Sequence, residues 1–323
     1  MDNRSKVIKK IAVIIHECHP EMGSEAHSGW NYLNGLSRYA LNKGIKVDVY
    51  IAETNIMHTV SYKEALSNHT IPNINLFFIP HSKFLSKRIA KRQKHYGGVG
   101  SFGLYYLKYY LWLRKVANKL HGYSTIHYYN HLIGFFLTKK LFRSDTRLIL
   151  GPISGISEIH NDYTSSRESI RRRVQALLIF RYRLLFKGKV HSVYYVGDQD
   201  KLFADKVCSY SKRVPEQALL VKNLKSLQSK ESGMYSELKL VWIGELVPRK
   251  NIEVLLEALK DIKTVQLTVI GDGPQKTYLI KKYRDLVESG IVKFTGRIPR
   301  EEVFTKLENS DVLVHTSYRE GTA

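Results

Sequence analysis

Short apolar segments alternate with amphipathic helical segments along most of the chain, and this alternation limits the possible folds more than any other feature. The first segment, "KKIAVIIHE" (9–17), has the pattern of a buried strand, and a helical pattern over 27–44 ends at Gly44. Further strand patterns cover 45–53, 75–80, 125–129, 147–153 and 191–197. Strands that alternate with helices at this spacing predict parallel, doubly wound sheets.

The same rhythm begins again after a polar stretch at 209–236. Strand patterns at 238–246, 265–273, 292–296 and 311–317 are separated by helical patterns such as "IEVLLEALKDI" and "KTYLIKKYRDLVES". Two series divided by a polar linker predict an α/β protein with two Rossmann-like domains that face each other. We place the N-terminal domain at 1–215 and the C-terminal domain at 236–323.

Charge is distributed very unevenly between these two parts. The whole chain of 323 residues carries a formal net charge of +22. Residues 236–323 hold 14 lysines and arginines against 13 acidic residues, which leaves 37 against 16 for the residues before them. An N-terminal part of this kind suits an anionic partner, namely nucleic acid, a membrane surface or a phosphorylated substrate. A solvated basic face is the simpler alternative.

The cysteines and the N-terminus predict a cytoplasmic protein. Cys18 and Cys208 lie far apart and lack the spacing of a metal site, which is typical of a reducing compartment. The charged N-terminus leads into a short strand pattern and not into a signal sequence. No apolar run in the sequence is long enough to cross a bilayer.

The most basic stretch contains no aspartate or glutamate between Ser82 and Lys119. Its second part, "LYYLKYYLWLRKVANKL" (104–120), mixes leucine and aromatic residues with lysine and arginine. Such a helix can pack on the sheet as part of the core, lie on an anionic membrane with its cations snorkelling, or stack on nucleic acid. A second basic run at 167–189 has the same character. We expect a peripheral position on the inner membrane face and no nucleic acid.

Four segments of the C-terminal part carry possible binding chemistry. "VWIGELVPRKNIEVLLEALK" is a strand, a glycine turn, the pair Arg249–Lys250 and a helix whose N-terminus would suit a phosphate. "VIGDGP" (269–274) places two glycines after the next strand, where the chain can turn tightly or approach a ligand. "VKFTGRIPREEV" and "DVLVHTSYREGTA" follow. Each segment alone is a weak signal.

Together, in this order and at these distances, they resemble the C-terminal domain of the group 1 (family 4) retaining glycosyltransferases of the GT-B fold. That family runs "GRL…K-G…LL-A", "GxGP", "V-F-G" and "S…EG". "HPEMGSEAHSGWNYLNGLS" resembles the family's first glycine-rich loop, and "RLILGPISG" resembles its "GP-x-GG" element. The resemblance implies transfer of a hexose, with retained configuration, from a nucleotide diphosphate sugar to a hydroxyl of a lipid-linked or oligosaccharide acceptor during surface polysaccharide or glycan assembly. It implies neither a cofactor nor a metal ion.

The resemblance also implies where the donor binds. The diphosphate is assigned to the first loop and to the basic pair. A family cation is replaced here by Glu245, so either Arg249 substitutes for it or the site is weakened. The nucleotide base is assigned to the loop after "FTG", and the donor sugar to the segment that begins at Glu320. The implied donor residues are Gly23, Ser24, Arg249, Lys250, Gly271, Gly273, Arg297, Ile298, Glu320, Gly321 and Thr322.

Histidines and a second carboxylate complete the implied site. In the family, a histidine after the middle strand of the N-terminal domain often lies beside the reacting sugar, and both His127 and His131 are candidates for it. Glu320 is the third candidate catalytic residue. Either histidine can equally be a packing residue. Glu25 is expected to orient the first loop or to position the acceptor, or else to cap the helix that follows.

The family pairs the first C-terminal glutamate with a second one that would fall at position 328, beyond Ala323. We therefore expect the second domain to be incomplete. Two alternatives to an active enzyme follow: a catalytically inactive remnant of the same family, and a basic nucleic-acid-binding protein suggested by charge alone.

Overall fold

The structure, a computed structural model, describes residues 10–22, 24–56, 59–96, 102–129, 139–141, 146–154, 184, 188–215, 237–262 and 264–318. The chain divides into two compact units. Among the described residues, 10–215 form the N-terminal unit and 237–318 the C-terminal unit.

The N-terminal unit is built on a seven-stranded parallel sheet. Its strands are β1 (Ile11–Ile15), β2 (Val47–Ala52), β3 (Ile74–Ile79), β4 (Thr125–Tyr129), β5 (Arg147–Ile153), β6 (Ser192–Tyr195) and β7 (Ser211–Arg213). They lie in the order β3-β2-β1-β4-β5-β6-β7. β2 is buried along its whole length, as expected for a strand covered on both faces. The chain leaves β1 towards one edge and returns on its other side as β4, so the order reverses between these two strands.

Five helices in the described residues accompany this sheet: α1 (Ser24–Lys43), α2 (Tyr62–Ser67), α3 (Lys83–Tyr96), α4 (Phe102–Ala117) and α5 (Asp198–Val207). A short 3₁₀ turn covers Lys139–Leu141. α1 begins three residues before its predicted start and ends at the glycine that the sequence indicated, since Gly44 adopts a left-handed φ of 60°. β7 lies in the stretch predicted as a linker. The sequence did not predict this strand because its three polar residues have no strand pattern.

α4 packs as a core helix along one of its faces. Tyr109, Trp112, Leu113 and Val116 are completely buried in the hydrophobic core of the N-terminal unit. The indole N–H of Trp112 donates to the carbonyl oxygen of Ile79 at 2.9 Å. Of the three interpretations of 104–120, core packing therefore accounts for this face, and only the opposite face is available to a partner. The second basic run, 167–189, lies almost entirely outside the described residues.

The C-terminal unit has a four-stranded parallel sheet in the order β10-β9-β8-β11. Its strands are β8 (Leu238–Ile243), β9 (Val265–Ile270), β10 (Val292–Gly296) and β11 (Val312–Leu313), and its helices are α6 (Ile252–Ala258), α7 (Lys276–Lys282), α8 (Arg284–Glu288) and α9 (Arg300–Glu308). Two 3₁₀ turns cover Pro248–Lys250 and Leu259–Asp261. The helix predicted over 276–289 is broken at Tyr283, whose backbone leaves helical geometry. The last predicted strand keeps only two paired residues.

Candidate functional site

The strand order of the C-terminal sheet marks the place where a ligand can bind. The chain runs from β8 outward through β9 to β10 and then returns on the other side of β8 as β11. In open parallel sheets, ligands bind in the crevice beyond the carboxyl ends of the strands where the order reverses. Here that crevice lies between the loop after β8 and the segment after β11, which contain the predicted basic pair and the approach to Glu320.

Glycines join the loops after β8 and β9 by direct backbone contact. Gly271 has a φ of 140°, and a Cβ atom there would lie 1.8 Å from the carbonyl oxygen of Gly244. A Cβ atom at Gly273 would lie 2.5 Å from the carbonyl oxygen of Leu246. Leu246 donates its N–H to the carbonyl oxygen of Asp272 at 3.0 Å. Both glycines predicted to bind the donor are thus required to form the loops, whatever else they contact.

The basic pair lies in the 3₁₀ turn after β8, and the segment after β11 holds this turn. The hydroxyl of Thr316 donates to the carbonyl oxygen of Lys250 at 2.8 Å and accepts from the indole N–H of Trp242 at 3.0 Å. The N–H of Tyr318 donates to the carbonyl oxygen of Arg249 at 3.1 Å. The Arg249 side chain is exposed, and that of Lys250 is half-buried.

The structure therefore brings Arg249 and Lys250 to the segment that leads to Glu320. Glu320, Gly321 and Thr322 themselves lie outside the described residues. Sequence reasoning missed Thr316, because a single threonine after a strand has no pattern of its own. Its role depends on two partners, Trp242 and Lys250, that are more than sixty positions away in sequence.

Asn251 explains how the chain passes from the basic pair into α6. It adopts the left-handed conformation, with φ 46° and ψ 41°. Asparagine tolerates this region better than other residues with a side chain, so the turn forms here without a glycine.

The third loop, after β10, is attached to the second. Gly271 donates its N–H to the carbonyl oxygen of Gly296 at 2.9 Å. Asp272 accepts from the N–H of Gly273 at 2.8 Å and from the Lys276 ammonium at 3.2 Å, and these bonds lower the pKa of its carboxyl group. Arg297 is exposed and Ile298 half-buried at this edge. On the three loops, the cations already described outnumber the carboxylates Asp272 and Glu245. Glu245 is exposed on the loop after β8.

The N-terminal sheet has its own reversal point, between β1 and β4. The loop after β1 holds Glu17, whose pKa is raised to about 7 by burial and then by the charge of Glu25. Glu25 is exposed on the first turn of α1. Gly23 lies outside the described residues, and Ser24 is described only as the first residue of that helix.

His127 is held at both ring nitrogens by its own unit. Its Nε2 donates to the carbonyl oxygen of Gly151 at 2.9 Å, and its Nδ1 accepts from the Tyr32 hydroxyl at 2.6 Å. Burial lowers the pKa of His127 to about 4, so the ring is neutral near pH 7. Its neighbour Tyr32 stacks on Tyr129 with ring centroids 4.1 Å apart. The other candidate, His131, lies outside the described residues.

A buried polar cluster that the sequence did not indicate lies at the end of β1. His16 Nε2 is 3.1 Å from His81 Nε2, and burial, with the charge of Lys108, lowers the pKa of His16 to about 3. The Lys108 ammonium donates to the carbonyl oxygen of Ile56, and burial lowers the pKa of Lys108 to about 8. A lysine counted among the snorkelling cations of the basic run is thus turned into the protein.

The described residues contain neither a membrane-spanning helix nor a cluster of metal-binding side chains. None of their helices is long and apolar enough to span a bilayer. In the same part of the chain, no group of three or more histidine, cysteine, aspartate or glutamate side chains is placed to hold a metal ion.

Comparison with known proteins identifies the class. Residues 225–323 match the family described as glycosyl transferases group 1. An uncharacterized glycosyltransferase of Methanocaldococcus jannaschii is 22% identical over 291 residues, which are 87% of this chain and 69% of that protein. The sucrose-phosphate synthase of Thermosynechococcus elongatus superposes with a TM-score of 0.62 at 18% identity, over 98% of this chain and 77% of that one. Anabaena HepE, solved with UDP and glucose, gives 0.52 at 14% identity, over 96% and 74%.

The chain therefore has the GT-B fold, and its C-terminal unit matches the group 1 glycosyl transferase family.

Proposed function

We propose that this glycosyltransferase transfers a hexose, with retention of configuration, from a nucleotide diphosphate sugar to an acceptor hydroxyl during surface polysaccharide or glycan assembly. The observation that carries the proposal is the crevice beyond β8 and β11, where Arg249 and Lys250 are held by the segment that precedes Glu320. HepE, which shares the fold, was solved with UDP and glucose. A nucleotide diphosphate sugar is the substrate that a cationic crevice in this family suits.

The chemistry assigned to this crevice is stabilisation of the leaving group. When the bond between sugar and diphosphate breaks, negative charge develops on the diphosphate oxygens. Lys250 and Arg249 lower the energy of that state because the turn places their positive charges at the crevice before the reaction. Their backbone oxygens bond to Thr316 and Tyr318, which limits reorganisation of the turn. Glu320 follows two residues later, and its carboxylate is assigned to hydroxyl groups of the donor sugar.

Nucleotide-sugar titration tests the proposal. We expect UDP-glucose or GDP-mannose to bind the 323-residue protein in calorimetry, and Lys250→Ala to reduce that affinity. The loss should be about tenfold or more, the usual size of one charge-assisted contact. Lys281→Ala is the matched control, because Lys281 is an exposed cation of the same unit on α7. Binding that is equally strong in all three proteins would contradict the role of Lys250, and no binding of any nucleotide sugar would contradict the proposed function.

We also propose that the enzyme works at the inner membrane face, through a surface formed by α3 and the outer side of α4. Phe84 is 68% exposed and Leu107 is 45% exposed, so both present apolar side chains to solvent. Exposed cations surround Phe84 on α3; they are Lys83, Lys87, Arg88 and Lys91. The inner side of α3 is anchored by buried Leu85 and Ile89. Apolar groups among cations are typical of a helix that lies on anionic lipid.

Vesicle sedimentation distinguishes this surface from a merely solvated one. Binding should be stronger on vesicles with phosphatidylserine than on neutral ones, and should weaken as salt shortens the screening length to about 10 Å near 0.1 M. Lys87→Glu combined with Arg88→Glu should abolish it, whereas Lys281→Glu in the C-terminal unit should not. Equal binding to neutral and anionic vesicles would show that the charge of this surface has no such role.

A further inference from the structure

The loop between β1 and α1 is organised around one imidazole ring. Nδ1 of His19 accepts two backbone N–H groups, from Glu21 at 3.0 Å and from Met22 at 3.1 Å. The N–H of His19 donates to the carbonyl oxygen of Ala26 at 2.9 Å, which attaches the turn to the first turns of α1. His27 Nδ1 donates to the carbonyl oxygen of Pro20 at 2.6 Å. The path of the chain from β1 to Met22 is therefore fixed from both sides.

This geometry requires a neutral ring at position 19. A nitrogen that accepts two hydrogen bonds cannot carry a proton, so the proton of the neutral ring is on Nε2. Protonation would turn Nδ1 into a third donor that faces two donors, and both bonds to the turn would be lost. Asparagine or aspartate usually fills this position in a turn, with a side-chain oxygen that accepts the same two amides. Histidine fills it here with a side chain that can take up a proton on acidification.

Titratable side chains of the turn, of α1 and of α2 surround His19. Glu21 lies within the turn, Tyr62 of α2 places its ring 6.3 Å from the imidazole, and His27 and Glu25 are on the first turns of α1. Burial lowers the pKa of His19 from its usual 6.5, against an opposing effect of the Glu21 carboxylate. The neutral, accepting form is thus the stable one near pH 7.

We propose that His19 is a positioning residue whose neutral imidazole holds the β1–α1 turn in the shape that donor binding needs, so that protonating this one ring weakens the binding of nucleotide sugar. The inference rests on the proposed function, because the resemblance to group 1 glycosyltransferases implies that the loop at Gly23 and Ser24 contacts the donor diphosphate. Met22, the last residue of the turn, immediately precedes that loop.

The test compares wild type with His19→Asn and His19→Ala at pH 7.5 and 5.5. Asparagine keeps an accepting atom at the position of Nδ1 and does not titrate, whereas alanine removes the acceptor. Hydrogen exchange, expressed as protection relative to the unstructured rate, reports the Glu21 and Met22 amides directly. UDP-glucose calorimetry reports donor binding, and this ligand has no terminal phosphate that titrates near pH 6.

In wild type we expect protection of the two amides to fall roughly tenfold on acidification, and UDP-glucose affinity to fall roughly threefold to tenfold, as for the loss of one or two hydrogen bonds. His19→Asn should keep both at both pH values, and His19→Ala should show low protection and weak binding even at pH 7.5. Glu17, whose pKa is about 7, and the other histidines titrate equally in wild type and in His19→Asn, so only the difference between these two proteins counts.

Wild-type protection that does not change with pH, or a His19→Asn variant as pH-sensitive as wild type, would overturn the inference. Amide protection that follows the expected pattern while UDP-glucose affinity stays constant would overturn the link to donor binding. If UDP-glucose and GDP-mannose bind none of the proteins at either pH, the proposed function fails instead, and hydrogen exchange still decides whether His19 holds the turn.

Discussion

Replacing Gly271 by alanine should unfold the loops that form the crevice beyond β8 and β9. Heavy atoms essentially never approach a Cβ atom more closely than 3.0 Å, and the new Cβ would lie 1.8 Å from the carbonyl oxygen of Gly244, so these loops must separate by about 1.2 Å. That movement breaks two hydrogen bonds, from the N–H of Gly244 to the carbonyl oxygen of Ile270 and from the N–H of Gly271 to the carbonyl oxygen of Gly296. Each lost bond costs about 1 kcal/mol of stability. A φ of 140° adds about 1–3 kcal/mol of backbone strain. The expected loss is about 3–5 kcal/mol.

Gly290→Ala is the matched control for this prediction. Gly290 has a φ of 79° in the same unit, and nothing lies within 4 Å of the position of its added Cβ. Its cost is backbone strain alone, about 1–2 kcal/mol. Hydrogen exchange of peptides that cover β8 and β9, measured over a urea series, gives the stability of the C-terminal unit for both variants. A Gly271→Ala variant no less stable than Gly290→Ala would show that the close contact between the two loops is not required for stability.

Two further perturbations follow from buried polar groups. Burial lowers the pKa of His127 from 6.5 to about 4, so its contribution to stability is intact above pH 6.5 and is lost as pH falls towards 4. Between pH 7.5 and 5, the free energy of unfolding in urea should fall by about 2 kcal/mol more in wild type than in His127→Gln. Equal decreases in the two proteins would contradict the assignment of a neutral ring. Thr316→Val should destabilise the C-terminal unit by about 1–3 kcal/mol, because the buried Trp242 N–H loses its acceptor. Thr316→Ser keeps the hydroxyl and should cost less. If urea unfolding of both variants matches that of wild type, the hydrogen bonds of Thr316 to Trp242 and Lys250 do not stabilise the unit.

Local sequence patterns determined most of the secondary structure. Buried parallel strands need continuous runs of β-branched residues, and the segments at 9–17, 45–53 and 265–273 each contain the strand that was predicted there. Gly44 marked the end of α1 because only a few residues adopt a left-handed φ at low cost. The short strand β7 and the break at Tyr283 escaped prediction, since neither has a periodic pattern.

The residues assigned to the donor were predicted from motif order, and their spatial arrangement was not. Arg249 and Lys250 were chosen for their charge, which is visible in sequence. That the turn they form is held by Thr316 and Tyr318 follows from β11 lying beside β8, a pairing that no local pattern specifies. Gly271 was assigned to the donor, which stays a prediction. The structure adds that a larger residue cannot form this loop.

The protonation states were decided by tertiary structure alone. In sequence, His127 was one of two equivalent candidates, and Lys108 was one cation among many in a basic run. Burial decides both, because a charged form loses its hydration when the surrounding elements close over it, and the pKa of each group falls accordingly. The sequence by itself determined most of the helices and strands and which charges exist. Only the packing of distant segments decided which charges face solvent and which polar groups must stay neutral.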